Sequence, residues 1–559
     1  MITDLRTSGR NTNRDYEGAV RPSLLLLVLA ACGPAPVDPL VIEPGLHRDV
    51  FLVEGPKPPA NPTTGGETPP EVNGVRVVRY RVDTGPAKPK AARAIVVMMP
   101  GFLGGAGSLD SLARALVRRS TADAPLEAWA IDRRSNLLED RTGIEAALAA
   151  TDANVLTGYY FEGAEVNGHA FQGFKKQSEV DFESEWGMAS TLADLRAVMR
   201  LVPADQRQAH VVLLGHSLGA TMATQYAAWD FEGVEGHDEL AGLVLVDGVT
   251  GSEGDALSTT QAQFETDGVP SAMGTLPSLS QLRAGTRYFA FPLLEATLFP
   301  VGVGTAMRAS WKPDLVEKDV PRATAFQTIF LMDRLPRFTN RAAFGVAFDA
   351  ASCPVSIAAV NAGQATGGAL TQSTSAFGGG MVLKPTELSA TYRWLEYDAV
   401  EPKENTSLTE FALSWMRPGA DFGEWYFPSR ILLEAGLGAS LTLEPTQWPV
   451  TGYGLRALHG RSIGAPVLVE SANLTGADVT KYDKLRALLP PVGAGRPLAG
   501  ASRAVSDGFQ AVAHPGFSHI DPIAATDVPG SEAAAWFDTV ADFVKRNTKE
   551  GGVTISLSP

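Results

Sequence analysis

The residues best suited to chemistry in this 559-residue sequence lie in the pentapeptide Gly215-His216-Ser217-Leu218-Gly219. A continuous apolar run, residues 211–214, precedes the pentapeptide, and a helix-forming stretch, residues 220–229, follows it. This pattern predicts a buried strand, a tight turn and a helix. In such a turn the central residue is strained, and the two glycines let the strand and the helix approach. We therefore expect the Ser217 hydroxyl to stand exposed above a sheet as a nucleophile.

A serine hydroxyl is a weak nucleophile near neutral pH, so Ser217 needs a general base and a carboxylate that orients the base. Two of the eight histidines, His514 and His519, follow the last predicted strand, residues 508–513. A tetrahedral intermediate also needs two converging N–H groups. A glycine-rich turn over residues 100–105 follows an early apolar strand and is a candidate source. Together these segments are typical of acyl transfer by an activated serine.

The elements that must position these residues alternate between strands and helices. The predicted strands are residues 75–82, 94–99, 127–132, 211–214, 242–247, 465–471 and 508–513. Most of them are continuous apolar runs, which favours a parallel sheet buried on both faces. The alternation stops for about two hundred residues after the strand at 242–247, which predicts an insertion that caps the site.

Three of these motifs, in the order that the fold requires, resemble the α/β-hydrolase superfamily over about residues 70–250 and 460–548. The resemblance implies an α/β fold with a mostly parallel sheet flanked by helices and a large cap insertion. It also implies a serine hydrolase of the lipase or esterase type that cleaves a small-molecule or lipid ester through an acyl-enzyme. Amidase, thioesterase or acyltransferase chemistry would use the same residues. A non-catalytic binding lipoprotein that kept the fold is the alternative from a different class.

Carried over residue by residue, the resemblance makes Ser217 the nucleophile and His519 the base. His519 lies in Gly516-Phe517-Ser518-His519-Ile520-Asp521, which is similar to the Gly-x-x-His-x-Asp segment of many α/β hydrolases. His514 is interpreted as a structural residue at a strand end. His216, inside the pentapeptide, is interpreted as a packing residue.

The same resemblance implies an oxyanion hole made of two backbone N–H groups. One belongs to Leu218, directly after the nucleophile, where a helix N-terminus also favours negative charge. The other belongs to Phe102, since its turn resembles the His-Gly-x turn of lipases, with Pro100 in place of the histidine.

The sequence offers three candidates for the carboxylate that orients the base. The usual loop position falls on Asn473-Leu474-Thr475, which contains no carboxylate. Asp247 ends the strand directly after the nucleophile, a position that pancreatic-type lipases and haloalkane dehalogenases use. We prefer Asp247, with Glu470 second and Asp478 third. The structural alternative for Asp247 is a strand-end carboxylate without a catalytic role.

Two other groups of polar and aromatic residues are interpreted as structural. Asp132 and Arg133 close a strand at the edge where open α/β sheets bind ligands, and we expect them to form an ion pair. Tyr159, Tyr160 and Phe161 are expected to pack in the core rather than to line a pocket.

The composition argues against several partners and cofactors. A formal charge of −15 and a pI near 5.1 are unlike a nucleic-acid-binding protein. The sequence contains no H-x-x-x-H or C-x-x-C spacing, so neither a metal ion nor another cofactor is expected. With Cys32 lipidated, Cys353 would be the only cysteine left, so no intrachain disulfide is expected. We interpret Cys353 as a buried small hydrophobic residue.

The N-terminal segment is interpreted as a targeting signal rather than as part of the fold. Four arginines precede a short apolar stretch, residues 23–31, which is too short to span a membrane. Leu29-Ala30-Ala31-Cys32 resembles the lipobox of bacterial lipoproteins, in which cleavage leaves a lipidated cysteine. The resemblance implies export and a lipid anchor in the membrane of the bacterial cell envelope, with the outer membrane preferred, or secretion if Cys32 carries no lipid.

The expected organisation follows from these segments. A Pro-, Gly- and Thr-rich stretch after Cys32 is typical of a tether. The expected parts are a signal peptide at 1–31, a lipidated tether at 32–73, the first part of the core at 74–250, a cap at 251–460, the second part of the core at 461–548 and a tail at 549–559.

Overall fold

Eight strands form one sheet in the computed structural model of the protein. The structure describes residues 43–82, 92–250, 259–271, 274–290, 295–375, 380–396, 404–441, 448, 450–504, 508–553 and 555. The strands of the sheet are β1 (Leu46–Glu54), β2 (Gly74–Val82), β3 (Ala94–Met99), β4 (Leu126–Asp132), β5 (Val211–His216), β6 (Gly242–Val246), β7 (Val467–Ser471) and β8 (Phe509–Ala513).

The strand order is β1-β2-β4-β3-β5-β6-β7-β8. Strand β2 runs antiparallel to both of its neighbours, and every other pair is parallel. This order and these directions are those of the α/β-hydrolase fold, so the predicted fold class is confirmed. The candidate nucleophile follows β5, near the middle of the sheet, and the candidate base follows β8, at its edge.

Helices cover both faces of the sheet and fill the segments between strands. They are α1 (Asp110–Arg118), α2 (Thr142–Ala150), α3 (Ala153–Phe161), α4 (Met188–Met199), α5 (Ala204–His210), α6 (Leu218–Ala228), α7 (Leu279–Ala284), α8 (Leu298–Trp311), α9 (Val320–Phe330), α10 (Asn340–Phe348), α11 (Leu408–Trp415), α12 (Ser429–Leu441), α13 (Asp483–Leu488), α14 (Asp521–Ala524) and α15 (Glu532–Asn547). Among the described residues, none of these helices has the length and apolar character that crossing a bilayer requires.

The two faces of the sheet belong to different hydrophobic clusters. Along β3, Ile95 and Val97 pack into the cluster that contains α4 and α6, whereas Val96 and Met98 pack into the cluster that contains α1 and α15. All residues of β3 to β7 are buried. Because side chains alternate between two buried faces, these strands are continuous apolar runs in the sequence.

Short strands supplement the sheet, mostly in the segment between β6 and β7. They are Glu165–Val166, His169–Ala170, Asp230–Phe231, Val234–Glu235, Val269–Ser271, Gly274–Leu276, Tyr288–Phe289, Arg337–Phe338, Gly363–Thr366, Leu370–Thr374, Met381–Pro385, Thr391–Glu396 and Phe427–Pro428. We call the described residues between 259 and 460 the insertion. Part of the insertion, with α8 and α11, shares a hydrophobic cluster with α2 and α3 of the core, and this cluster buries Tyr159 and Tyr160 as expected.

The tether expected over residues 32–73 is wrong for its described part, residues 43–73. Strand β1 lies within this part and pairs with β2 along its whole length. Farther on, the Asn61 side chain donates hydrogen bonds to the carbonyls of Asp181 (2.8 Å) and Arg283 (3.1 Å). Strand β1 is an edge strand with mostly half-exposed side chains, so it lacks the apolar run that marks an inner strand.

The tail expected over residues 549–559 is likewise part of the core where the structure describes it. The Val553 and Ala92 backbones exchange two hydrogen bonds of 2.9 and 2.8 Å, and Val553 and Ile555 are buried. The signal peptide at 1–31 and the lipidated Cys32 lie outside the described residues.

Glu183 is a fully buried carboxyl group without a hydrogen-bond partner in the described part of the chain. Burial, and then repulsion from Glu424, raise its pKa well above the usual value, and Arg287 offsets this only in part. A raised pKa in the folded state means that folding binds a proton here. The stability of the fold therefore decreases as the pH rises above the ordinary pKa of glutamate.

We expect Glu183→Gln to increase the free energy of unfolding by about 1–3 kcal/mol at pH 8, because the amide cannot ionise in this buried site. The gain should shrink at pH 4, where the carboxyl is protonated in both states. Thermal unfolding at the two pH values measures the difference. The exposed Glu162→Gln is the control and should change stability by less than about 0.5 kcal/mol. A Glu183→Gln protein that is less stable at pH 8 than the unchanged protein would contradict the argument.

Candidate active site

Ser217 stands in a strained turn between β5 and α6. Its backbone has φ 56° and ψ −122°, a conformation that costs a non-glycine residue free energy and therefore needs support. The Ser217 N–H donates to the carbonyl of Val246 (2.8 Å). A Cβ at Gly215 would lie 2.0 Å from the Gly219 oxygen, and a Cβ at Gly219 would lie 2.3 Å from the Met99 oxygen. Both glycines are therefore required by close packing.

His519 and Asp247 form a buried pair beside this turn. The Nδ1 atom of His519 lies 2.7 Å from Oδ2 of Asp247, and both side chains are almost inaccessible to solvent. Asp247 follows β6 with φ 38°, and His519 lies in the segment after β8. A hydrogen bond from Nδ1–H to the carboxylate leaves Nε2 of the imidazole free to accept a proton.

The Asp247 carboxylate accepts several further hydrogen bonds, which favour its ionised form. Its further hydrogen-bond donors are the N–H of Ala472 (2.9 Å), the N–H of Leu474 (2.9 Å), and the N–H (3.0 Å) and Oγ1 (2.6 Å) of Thr475. Burial raises the pKa of Asp247, but hydrogen bonds from His519, Thr475 and Leu474, together with the charge of His519, outweigh it and hold this pKa well below the usual range. The site therefore presents an anion to the imidazole.

Ser217 and His519 line the same cavity, which has a volume of about 230 Å³. Residues 101–104 form part of its wall on the core side. Most of the remaining wall comes from apolar residues of the insertion, among them Leu298, Phe299, Ile329, Phe348, Val355 and Trp415. Within the described residues, no hydrogen bond joins the two side chains. Such contacts often tighten only when substrate is bound.

Two backbone N–H groups are available near Ser217. Neither Phe102 nor Leu218 donates a backbone hydrogen bond within the part of the chain that the structure describes. Leu218 begins α6, where the helix dipole favours negative charge. Phe102 lines the cavity in the turn after β3. A Cβ at Gly101 would lie 2.9 Å from Cβ of Ser217, so the glycine lets this turn approach the serine.

The structure keeps the other carboxylate candidates away from His519. Glu470 lies in β7 with Oε1 3.0 Å from Nδ1 of His514. Burial, and then repulsion from Asp247, raise the pKa of Glu470 well above its usual value, and burial lowers the pKa of His514 to about 4. Burial therefore disfavours the charged form of both groups. Asp478 is bound to the backbone and hydroxyl of Thr480 at the surface.

Two residues near His519 have contacts that the sequence analysis does not anticipate. Nε2 of His216 lies 2.9 Å from the carbonyl oxygen of His519, and burial, with repulsion from His519, lowers its pKa far enough to keep the ring neutral. Asp521 accepts hydrogen bonds from the N–H of Ser518 (2.7 Å), the N–H of Asn361 and Oγ1 of Thr406. These contacts fix the segment that carries His519. The spacing of Asp521 two residues after His519 was the signal available in the sequence.

The expected ion pair between Asp132 and Arg133 is wrong. Asp132 pairs with Arg76 (2.9 Å) and accepts the N–H of Ala106 (2.6 Å), whereas Arg133 pairs with Glu424 of the insertion (2.6 Å). Successive side chains at the end of a strand point to opposite faces of the sheet, so neighbours in sequence find separate partners.

Cys353 is buried, as expected, and lies in the wall of the cavity. Among the described residues, no group of three or more His, Cys, Asp or Glu side chains is placed to hold a metal ion.

Comparisons with known proteins find similarity only to solved structures. No family model matches the chain, and no curated protein matches it. Among solved structures, it is similar to a soluble variant of monoglyceride lipase from Saccharomyces cerevisiae in complex with a substrate analogue (9% identity, TM-score 0.33, 90% of this chain and 97% of that chain). It is also similar to a thermophilic esterase from Thermogutta terrifontis (11% identity, TM-score 0.31, 89% of this chain and 100% of that chain). A third similar structure is a thioesterase domain from the curacin biosynthetic pathway (10% identity, TM-score 0.31, 89% of this chain and 99% of that chain).

Proposed function

We propose that the protein is a serine hydrolase that cleaves carboxylic esters through an acyl-enzyme. The observation that carries the proposal is the pairing of His519 with the ionised Asp247 beside the strained turn of Ser217, with serine and histidine lining one apolar cavity. In a catalytic triad, a buried carboxylate orients an imidazole, and the imidazole takes the proton of a serine hydroxyl.

In the proposed reaction, Ser217 Oγ attacks the ester carbonyl carbon while its proton passes to Nε2 of His519. The carbonyl oxygen becomes an oxyanion that accepts hydrogen bonds from the N–H groups of Phe102 and Leu218. Collapse of the intermediate breaks the bond to the alcohol oxygen, which takes the proton from His519. Water then attacks the acyl-enzyme by the same steps and releases the acid. Asp247 stays ionised throughout and stabilises the imidazolium.

The cavity indicates the kind of acyl group that such an enzyme would accept. The described residues of its lining include no Asp, Glu, Lys or Arg side chain, so an uncharged apolar group suits it. The volume of about 230 Å³ lies below the roughly 300–1,000 Å³ of sites that enclose drug-sized ligands. We therefore propose esters with a medium-length acyl chain, of about six to eight carbons, as substrates.

We expect kcat/KM for p-nitrophenyl esters to rise from acetate to a maximum at about six to eight acyl carbons and to fall at palmitate. Each methylene group that the cavity buries contributes up to about 0.8 kcal/mol, or about fourfold. Steady-state rates with the chain-length series measure this dependence. Failure to hydrolyse any ester above the buffer rate would contradict the proposed function. A maximum at acetate or palmitate would contradict only the proposed acyl pocket.

Ala347→Phe is the matched variant for the chain-length series. Ala347 lies in α10 in the cavity wall, and a phenyl ring there would fill part of the space. We expect the optimum to move to shorter acyl chains while the acetate ester reacts at nearly the unchanged rate. An unchanged optimum would place the acyl chain elsewhere.

We further propose that the protein is exported and held at the bacterial envelope by lipid on Cys32. The support is the basic and apolar pattern before Leu29-Ala30-Ala31-Cys32 in the sequence. Such an anchor would keep the cavity close to a membrane that contains ester lipids.

A further inference from the structure

The guanidinium group of Arg133 binds the turn that carries Phe102. Its Nη2 donates to the carbonyl oxygens of Pro100 (2.6 Å) and Gly101 (2.9 Å), and its Nη1 donates to that of Gly104 (3.1 Å). The Arg133 side chain is only 3% exposed. One buried cation therefore holds three carbonyl groups of a turn of six residues.

These bonds determine which way the Phe102 N–H points. In a trans peptide unit, the C=O and the N–H point in opposite directions. The C=O of Gly101 and the N–H of Phe102 belong to the same peptide unit. Because Arg133 binds the oxygen of that unit, the N–H is directed away from the guanidinium. Arg133 does not line the cavity, whereas Gly101 and Phe102 do.

Glu424 of the insertion holds the same turn from the other side. Its Oε2 pairs with Nη1 of Arg133 (2.6 Å), its Oε1 accepts from Oγ of Ser135, and its N–H donates to the carbonyl of Leu103 (2.9 Å). The N–H of Gly105 also donates to an insertion residue, Phe422 (2.9 Å). The Glu424 side chain is fully buried, so the ion pair is shielded from water.

We propose that Arg133 is a positioning residue that orients the Phe102 N–H toward the oxyanion. Through the ion pair of Arg133 with Glu424, this orientation also depends on how the insertion packs against the turn. The proposal rests on the proposed function. It assigns to Arg133 a role in the transition state, although the residue contacts neither the substrate nor Ser217.

We expect Arg133→Met, which keeps an apolar stem but loses all three carbonyl contacts, to lower kcat by about 10²–10³-fold with KM changed less than about threefold. That is the loss typical of removing one oxyanion donor. The affinity for a hexyl trifluoromethyl ketone, which forms a tetrahedral adduct with an activated serine, should fall by a similar factor. Arg133→Lys should be intermediate, because one ammonium group cannot match the fork of the guanidinium.

Arg134→Met is the matched control. Arg134 is equally buried, and its Nε donates to Oδ2 of Asp194 (2.7 Å), but it does not contact the turn. We expect this variant to lose thermal stability like Arg133→Met while kcat and ketone affinity change less than about threefold. If the two arginine variants lost kcat equally, the loss would come from removing a buried arginine and not from the contacts of Arg133 with the turn. That result would overturn the proposal.

A double variant separates positioning from charge balance. Arg133→Met leaves the Glu424 carboxylate buried without its cation, which is destabilising. Adding Glu424→Gln should restore thermal stability but not kcat. Recovery of both would make Arg133 a structural counter-ion only and would overturn the proposal. An unchanged protein that hydrolyses no ester would instead contradict the proposed function, and this inference with it.

Discussion

Replacing Ser217 with alanine is expected to lower kcat for p-nitrophenyl hexanoate by about 10⁶-fold, the loss typical of removing the nucleophile of a catalytic triad. Without Oγ no acyl-enzyme can form, and His519 has no hydroxyl group to deprotonate. A fluorophosphonate probe should label the unchanged protein at Ser217 and leave Ser217→Ala unlabelled. Stopped-flow release of p-nitrophenol and mass spectrometry of the labelled peptide measure both effects.

Ser108→Ala provides the control for that experiment. Ser108 lines the same cavity, but its hydroxyl donates to the carbonyl of Gly105 (2.7 Å). This variant should be labelled at the normal rate. If Ser217→Ala still hydrolysed the ester at a normal rate, the nucleophile would lie elsewhere. If the folded, unchanged protein remained unlabelled, a binding protein that kept the fold would be the better explanation.

Replacing Asp247 with asparagine is expected to lower kcat by about 10⁴-fold while the protein remains folded. The amide nitrogen would donate to Nδ1 of His519, so that the imidazole would carry its proton on Nε2 and could not accept one from Ser217. The rate with p-nitrophenyl hexanoate measures the loss, and circular dichroism checks the fold. Because the pKa of Asp247 is depressed, its ionised form stabilises the fold above the ordinary aspartate pKa, and this contribution decreases as the pH falls toward the folded-state pKa.

Glu470→Gln is the comparison for the second prediction. Glu470 is equally buried at the end of the neighbouring strand, but it contacts His514 rather than His519. The glutamine side chain can keep this contact with a neutral histidine, so kcat should change less than about threefold. A loss of about 10⁴-fold in Glu470→Gln alone would reverse the assignment of the carboxylate.

The sheet could be predicted from the sequence because its inner strands are buried on both faces. Strands β3 and β5 are continuous apolar runs, and each ends at a glycine-containing turn. The turn at Ser217 could be predicted for a similar reason, since only glycine fits on either side of it. Such local constraints leave a signal in a single sequence. Strand β1 leaves a weaker signal because it lies at the edge.

Contacts between distant segments could not be predicted in the same way. Asp247 and Glu470 both end buried strands, and the sequence alone could not separate them. What distinguishes them in the structure is the convergence of three backbone N–H groups from residues 472–475 on Asp247. The pairing of Arg133 with Glu424 likewise joins residues that are 291 positions apart. Neither contact can be predicted from secondary-structure propensities or from the periodicity of apolar residues.

The long segment between β6 and β7 has a consequence for biosynthesis. Asp247 is translated well before His519, and 272 positions separate the two residues. Strands β7 and β8 can join the sheet only after the ribosome has passed this segment, and closing so long a loop delays assembly. A nascent or truncated chain that ends before β7 therefore carries Ser217 without His519, so the proposed hydrolysis requires that the ribosome has passed β8.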